Sequence, residues 1–229
     1  MATTDDLARD RPLLDRTSTA ERVAGVLRDR IMEGQFPPDS RLSEDTITKG
    51  LGISRNTLRE AFRLLTHEKL LVHKLNQGVF VRKLDVADVV DLYHVRRVIE
   101  GAAVRTVRTL PKADARALAA AVDDAEAAAA AGRWADVGTA NLRFHQAIAG
   151  LLNSPRVDEL MRQLCAELRL VFHVMANQRM LYEPYLPRNR EILDLLVGGH
   201  IAAAEKTLDS YLADAEHQLV TEYATASSP

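Results

Sequence analysis

One cysteine, Cys165, among 229 residues cannot form an intrachain disulfide, and this fits a reducing compartment. Cys165 lies in an apolar helical pattern and reads as a core residue. No run of about 18 apolar residues occurs, so no transmembrane helix and no membrane partner are expected. The first residues, MATTDDLARDRPLLDRTS, are polar and charged and lack a signal-peptide core, so a cytoplasmic location is the expectation. Aromatics are only 5%, and abundant alanine tilts the chain towards helices. Chemical motifs are missing too. There is no nucleophile elbow, phosphate loop, HExxH pair or set of paired carboxylates at a plausible pocket. An enzyme is therefore not expected.

Net charge is small but unevenly distributed. The net charge is -2, which does not mark a nucleic-acid binder. Yet residues 41–83 carry nine Lys/Arg against four Asp/Glu, a net of +5. Residues 84–229 carry fifteen against twenty, a net of -5. A basic block joined to an acidic one reads as a local DNA footprint.

The basic block centres on Leu51–Leu65, LGISRNTLREAFRLL. Ser54 is a helix N-cap by residue type. Leu58, Ala61, Phe62 and Leu65 make an apolar stripe at helical spacing. Arg55, Arg59 and Arg63 make a second face, and three like charges in a row call for compensation from outside the helix. Ser43–Lys49 reads as a short preceding helix, with Gly50 and Gly52 in a tight turn. This is a helix-turn-helix pattern. Leu71–Leu75 and Val79–Val81, parted by Asn76-Gln77-Gly78, predict a hairpin, with His73, Lys74 and Asn76 placing donors near its tip. The sum is a winged helix.

In chain order, residues 1–17 read as a flexible arm. Thr19–Met32 is a helix with Val23, Val26, Leu27 and Ile31 inward, ended by Gly34. After a junction at Arg82–Ala87, six helices are predicted: Val86–Thr109, Ala113–Ala131, Trp134–Leu152, Pro155–Met180, Arg188–Val197 and Ile201–Tyr223. Val90, Tyr93, Val98 and Val104 are apolar positions of the first. No strand candidate follows Val81. The fold class is mostly α: a winged helix-turn-helix over 18–83 and an all-α helical bundle over 84–229.

Three linked motifs carry a resemblance: Arg41-Leu42-Ser43-Glu44, Leu51–Ala61 and Asn76–Val81. Together they resemble the DNA-binding domain of the GntR family of bacterial repressors. Two turn positions depart from that pattern. Pro38-Asp39 replaces the usual Pro-Gly, and Lys69-Leu70 replaces the usual glycine after the recognition helix. The resemblance implies a homodimer on a palindromic double-stranded DNA operator. The expected DNA-binding set is Arg41, Ser54, Arg55, Asn56, Thr57, Arg59, Lys74, Asn76 and Gly78. Arg55, Asn56 and Thr57 would face base edges and adjacent phosphates, and Arg59 a base edge or phosphate. Arg41 and the Gly78 wing would lie by the backbone and minor groove.

Residues 86–220 are similar to the helical effector domain of the FadR-like subfamily, the FCD domain. Arg96–Glu100, Asn141–His145, Asn189–Leu193 and Ser210–Leu212 carry the match. In metal-binding members an Asp and three His converge on a divalent metal. The matching positions here are Asn141, His145, Asn189 and Tyr211, so only His145 is kept. No cofactor and no resident divalent metal are expected, because amide oxygen and neutral phenol are weak ligands. Two readings stay open for Asn141, His145, Asn189 and Tyr211, with Arg96 nearby. They form either an effector pocket, for an organic acid or another metabolite, or a structural network in a regulator without an effector. His94, His173 and His217 lack ligand spacing.

Overall fold

A computed structural model describes residues 18–32, 34–174 and 177–226. The arm expected over 1–17 lies outside them. The chain divides into two compact units that meet in sequence at Lys83 and Leu84.

The first unit is built by local caps. Ser18 and Glu21 form a reciprocal box at the start of α1 (Thr19–Met32): Ser18 N–H donates to Glu21 Oε2 at 2.6 Å, and Glu21 N–H donates to Ser18 Oγ at 3.1 Å. This satisfies donors that a helix start leaves open. Ser43 caps α2 (Glu44–Leu51), accepting from Thr46 N–H. Ser54 caps α3 (Arg55–His67), accepting from Thr57 N–H at 3.1 Å. The α3 stripe Leu58, Ala61, Phe62 and Leu65 is buried as its spacing requires. Arg28 on α1 grips Glu68 just after α3 through two hydrogen bonds of 2.6 Å. Strands β1 (Leu71–Lys74) and β2 (Gly78–Val81) pair antiparallel, with Leu71 opposite Val81 and Lys74 opposite Gly78.

Several expectations shift here. Gly50 lies inside α2, and the turn rests on Gly52 alone, left-handed at φ 63°. On α1, Ala24 is buried, while Val26 is 41% exposed. The first strand stops one residue earlier than predicted, leaving Leu75 in the loop and 83% exposed, and the second begins one residue earlier, at Gly78. The two turn departures are resolved by backbone conformation. Asp39 (φ 65°) and Lys69 (φ 62°) both adopt the left-handed region that favours glycine.

The second unit contains α4 (Val86–Thr106), α5 (Lys112–Ala130), α6 (Trp134–Gly150), α7 (Pro155–Val174), α8 (Gln178–Tyr182), a 3-10 turn at Glu183–Tyr185, α9 (Leu186–Val197) and α10 (Ile201–Ala226). Asp85 and Asp88 form a reciprocal cap at the start of α4. The alanine-rich α5 buries Ala121, Ala125 and Ala128 beside Leu118 and Val122. Such small side chains let it lie close to its neighbour α6. Helix α6 is central, packing on α4, α5, α7 and α8. Gly138 permits its approach to α8: a Cβ there would stand 2.5 Å from the Tyr182 hydroxyl. Gly199, at φ 74°, follows α9 and leads into α10.

The single helix expected over Pro155–Met180 is interrupted, because Asn177 caps the separate α8 with its side chain. The first helix of the unit ends at Thr106, not Thr109, and Val90 and Val98 face outward. Among the described residues no strand follows Val81, and no helix is long and apolar enough to cross a membrane.

Lys69 has a Cβ in a conformation that costs about 1–2 kcal/mol for an L-residue. Lys69→Gly should therefore raise stability by about 0.5–1 kcal/mol after glycine's larger unfolded-state entropy is subtracted. The reading is a higher urea midpoint at unchanged slope. A lower midpoint would show that the Lys69 side chain stabilises the turn.

Candidate nucleic-acid interface and buried polar site

The arginine face of α3 is exposed and is compensated from outside the helix at Arg55 and Arg59, by acids of α2, and from within it at Arg63. Arg55 Nη2 meets Asp45 Oδ1 at 2.8 Å. Arg59 faces Glu44 through two longer contacts of 3.4 Å. Arg63 pairs with Glu60 at 2.7 Å. Exposed pairs of this kind are worth about 0–1 kcal/mol and are screened by salt. An external phosphate can displace pairs this weak.

The remaining predicted DNA residues fall around this face. Asn56 is exposed beside Arg55. The Ser54 hydroxyl is engaged by the cap and by Thr57 Oγ1 at 2.9 Å, so Ser54 positions α3 more directly than it offers a free donor. In the wing, Lys74 Nζ bonds Asp39 Oδ1 at 2.6 Å and sits 4.4 Å above the Phe80 ring. Asn76 (φ 59°) and Gly78 (φ 107°) shape the hairpin loop. The Arg41 guanidinium lies over Gly78, where a Cβ would come within 3.4 Å of Nε. Glycine therefore leaves room for Arg41 against the wing.

The second site is buried. On α4, Arg96 and Glu100 occupy the inward stripe with Leu92, Tyr93, Ala103 and Val104. Arg96 Nε donates to Glu100 Oε1 at 2.8 Å. The other oxygen, Oε2, lies 2.7 Å from His145 Nδ1 on α6. All three side chains are essentially sealed from solvent. Burial pushes the Glu100 carboxyl up, but Arg96 and His145 overcome it and hold the group below its usual value. Burial pushes His145 down, and Arg96 adds to this against the pull of Glu100. The imidazole is therefore neutral at pH 7. A carboxylate only accepts, so Nδ1 carries the proton and Nε2 is left as an acceptor.

Next to this triad lies a neutral set. The Tyr211 ring is 4.9 Å from that of His145. Tyr211 OH donates to Asn141 Oδ1 at 2.9 Å, and Asn189 Nδ2 donates to the same oxygen at 2.7 Å. Burial drives the Tyr211 phenol far above its usual value, so it stays protonated. Tyr185 covers Tyr211 with ring centroids 4.7 Å apart, and its hydroxyl donates to Gln218. Helices α4, α6, α9 and α10 thus bring together all five predicted effector residues, Arg96, Asn141, His145, Asn189 and Tyr211. Three buried atoms of this site find no hydrogen-bond partner among the described residues: Arg96 Nη2, His145 Nε2 and Asn189 Oδ1.

Family comparison matches both units. The description "Bacterial regulatory proteins, gntR family" matches residues 19–81, and "FCD domain" matches residues 91–214. The chain belongs to the GntR family. It is a transcriptional regulator with an FCD domain, from families of regulators and not of enzymes. A solved structure of a proposed GntR regulator from Rhodococcus sp. RHA1 is 47% identical, with 90% of this chain and 100% of that one covered and a TM-score of 0.85. The proposed D-xylose utilization operon transcriptional repressor of Paenarthrobacter nicotinovorans is 26% identical over 200 residues, 87% of this chain and 88% of that one. The E. coli protein McbR/YncC, at 21% identity and a TM-score of 0.76 over 91% of this chain and 100% of that one, shares the fold.

The donor chemistry of this GntR protein is a poor match to a divalent cation. It offers one imidazole nitrogen, amide oxygens and a protonated phenol, beside a buried guanidinium. Among the described residues, no group of three His, Cys, Asp or Glu could hold a metal. Cys165 is buried, and burial pushes its thiol up to about 12, as suits a core residue. His94 and His217 are exposed, and the surroundings of the His173 side chain lie outside what is described.

Glu100 escaped the predicted site set, although its signal was present. Arg96 and Glu100 are four apart and both fall on the apolar stripe, where two charges stay only if they pair.

Glu100→Leu should destabilise by about 3–5 kcal/mol, because it leaves Arg96 buried and unpaired, and adding Arg96→Met should return a large part of that loss. Urea unfolding checks both, and equal stability of the two variants would deny the pairing. His145 also implies a pH dependence. Its folded-state pKa is below the unfolded one, so its stability contribution is full above about 6.5 and falls as pH drops below it, by at most ~1.4 kcal/mol per unit. His145→Asn keeps a donor for Glu100 without titrating. It should flatten the urea midpoint against pH between 7 and 5, and an unchanged slope would place the titration elsewhere.

Proposed function

We propose that this regulator binds a palindromic operator as a homodimer and that a small molecule in the FCD bundle modulates the binding. The observation that carries the effector half is the trio of buried, unpartnered atoms, Arg96 Nη2, His145 Nε2 and Asn189 Oδ1. Each such atom costs about 1–3 kcal/mol unless something supplies a partner. The DNA half is supported by the exposed α3 arginines, the wing and the family. Repression is the expected sense, since the Paenarthrobacter relative is described as a repressor. The site works without a resident metal in this reading, because it lacks anionic ligands.

A second reading has its own support. Asn141, Asn189 and Tyr211 satisfy one another, as a purely structural network would. In that case the protein regulates without a small-molecule effector. The two readings separate at the three unpartnered atoms, which a self-sufficient network would not leave.

The test uses the operator itself. Arg55→Ala should cost about 1–3 kcal/mol of operator affinity if Arg55 makes a bidentate base contact. Its helix should be unaffected, since Arg55 lies off the buried stripe. Wild-type affinity in a gel shift would remove the base-contact role. Sedimentation should show a dimer for the full chain and for residues 84–229, and a monomeric fragment would move the interface. Metal analysis of protein purified without chelating resin should give far less than one zinc, nickel or manganese per chain.

A further inference from the structure

The unpartnered atoms have definite hydrogen-bonding characters, and these define a ligand. Resting on the effector reading above, we propose that the buried polar site of the FCD domain takes a neutral, hydroxyl-rich molecule, such as a sugar or polyol, in preference to a carboxylate.

Three observations lead there. First, two of the three open atoms are acceptors. His145 Nε2 is an acceptor because Glu100 fixes the proton on Nδ1 at 2.7 Å. Asn189 Oδ1 is open because the Asn189 amide already donates through Nδ2 to Asn141. A carboxylate has no proton to offer either atom. Second, the Tyr211 hydroxyl proton and one amide N–H of Asn189 are already engaged, both on Asn141 Oδ1. Of the three unpartnered buried atoms of the site, Arg96 Nη2 is the donor. Third, the buried charges already cancel. Arg96 is matched by Glu100, both at most 2% exposed, and the other groups, Asn141, Asn189, Tyr211 and His145, are neutral. A carboxylate would bring an unbalanced charge into this interior, at a cost that a neutral molecule avoids.

Hydroxyls answer all three requirements. Each donates one hydrogen bond and accepts others. Two hydroxyls can donate to His145 Nε2 and Asn189 Oδ1, and an oxygen of the same molecule can accept from Arg96. An ammonium could also donate, but it would add an unbalanced positive charge beside Arg96.

Matched pairs isolate charge from shape. The full-length protein is melted with D-xylose and D-xylonate, and with D-glucose and D-gluconate, alongside xylitol. At about 100 times the dissociation constant, a neutral ligand should raise the midpoint by roughly 5–10 °C. Each acid should bind at least tenfold more weakly than its neutral partner. Asn189→Leu, which removes the acceptor at similar volume, should weaken neutral binding about tenfold, and its own cooperative melt shows that it is folded. If the acids bind as tightly as the neutral compounds or tighter, the proposed class is wrong. Should Asn189→Leu then abolish acid binding as well, the pocket still stands. If no compound shifts the midpoint, the class is again wrong. A crystal structure with only ordered water between the three atoms would remove the effector pocket together with it.

Discussion

The Glu100 carboxylate is the group on which the helical unit depends. It accepts from Arg96 on its own helix and from His145 on α6, with no exposure to water. A lone buried carboxylate would be protonated or expelled. Held by two partners, it stays ionised and ties α4 to the central helix of the bundle. The same contact fixes the imidazole proton, and so decides that Nε2 faces the interior as an acceptor. A packing requirement and the chemistry of the site thus come from one side chain.

The two units use charge in opposite ways, and burial explains the difference. The arginines of α3 are exposed, so their pairs with Asp45, Glu44 and Glu60 are weak and replaceable. Weak pairing leaves such a surface free to exchange protein carboxylates for other anions. Acidic residues on α2 also mean that the α3 face is less positive than its arginine count implies, so its long-range attraction for a polyanion is damped. In the bundle, the Arg96–Glu100 pair has no competing water, so it acts as a fixed element.

The helix-turn-helix was legible in the sequence because its signals are local. Ser43 and Ser54 cap, Gly52 turns, and the α3 stripe repeats at helical spacing. The bundle was legible as helices, since apolar periodicity survives without knowing what packs on what. What escaped depends on tertiary contact. Val26 and Ala24 are both apolar, and only the packing of α1 on α3 decides which one is buried. The break before α8 has no proline or glycine at it; the Asn177 side chain makes it, while Pro184 and Pro187 lie further on. The partners of the arginine row could not be read, because α2 must first fold against α3 to bring Glu44 and Asp45 within reach. Asp39 and Lys69 teach the same lesson in the backbone. Lys69 N–H donates to Thr66 O and Leu70 N–H to Leu65 O, both at 3.0 Å, and Leu70 is fully buried. Those bonds impose a left-handed turn on whatever residue occupies position 69.

The groups that support the buried polar site hold one another through their own hydrogen bonds. In a metal site, an imidazole is usually oriented by a carboxylate or carbonyl behind it. Here Glu100 fills that place, and its bond to His145 persists whatever lies on the Nε2 side. The amide and phenol groups of Asn141, Asn189 and Tyr211 then close on one another, which removes most of the desolvation cost of burying them. What is left over is small and specific: one guanidinium arm, one imidazole nitrogen and one amide oxygen. Their unmet hydrogen bonds raise the free energy of the ligand-free domain. A molecule that meets them recovers that energy on binding, and the gain depends on helices α4, α6 and α9 holding their present spacing.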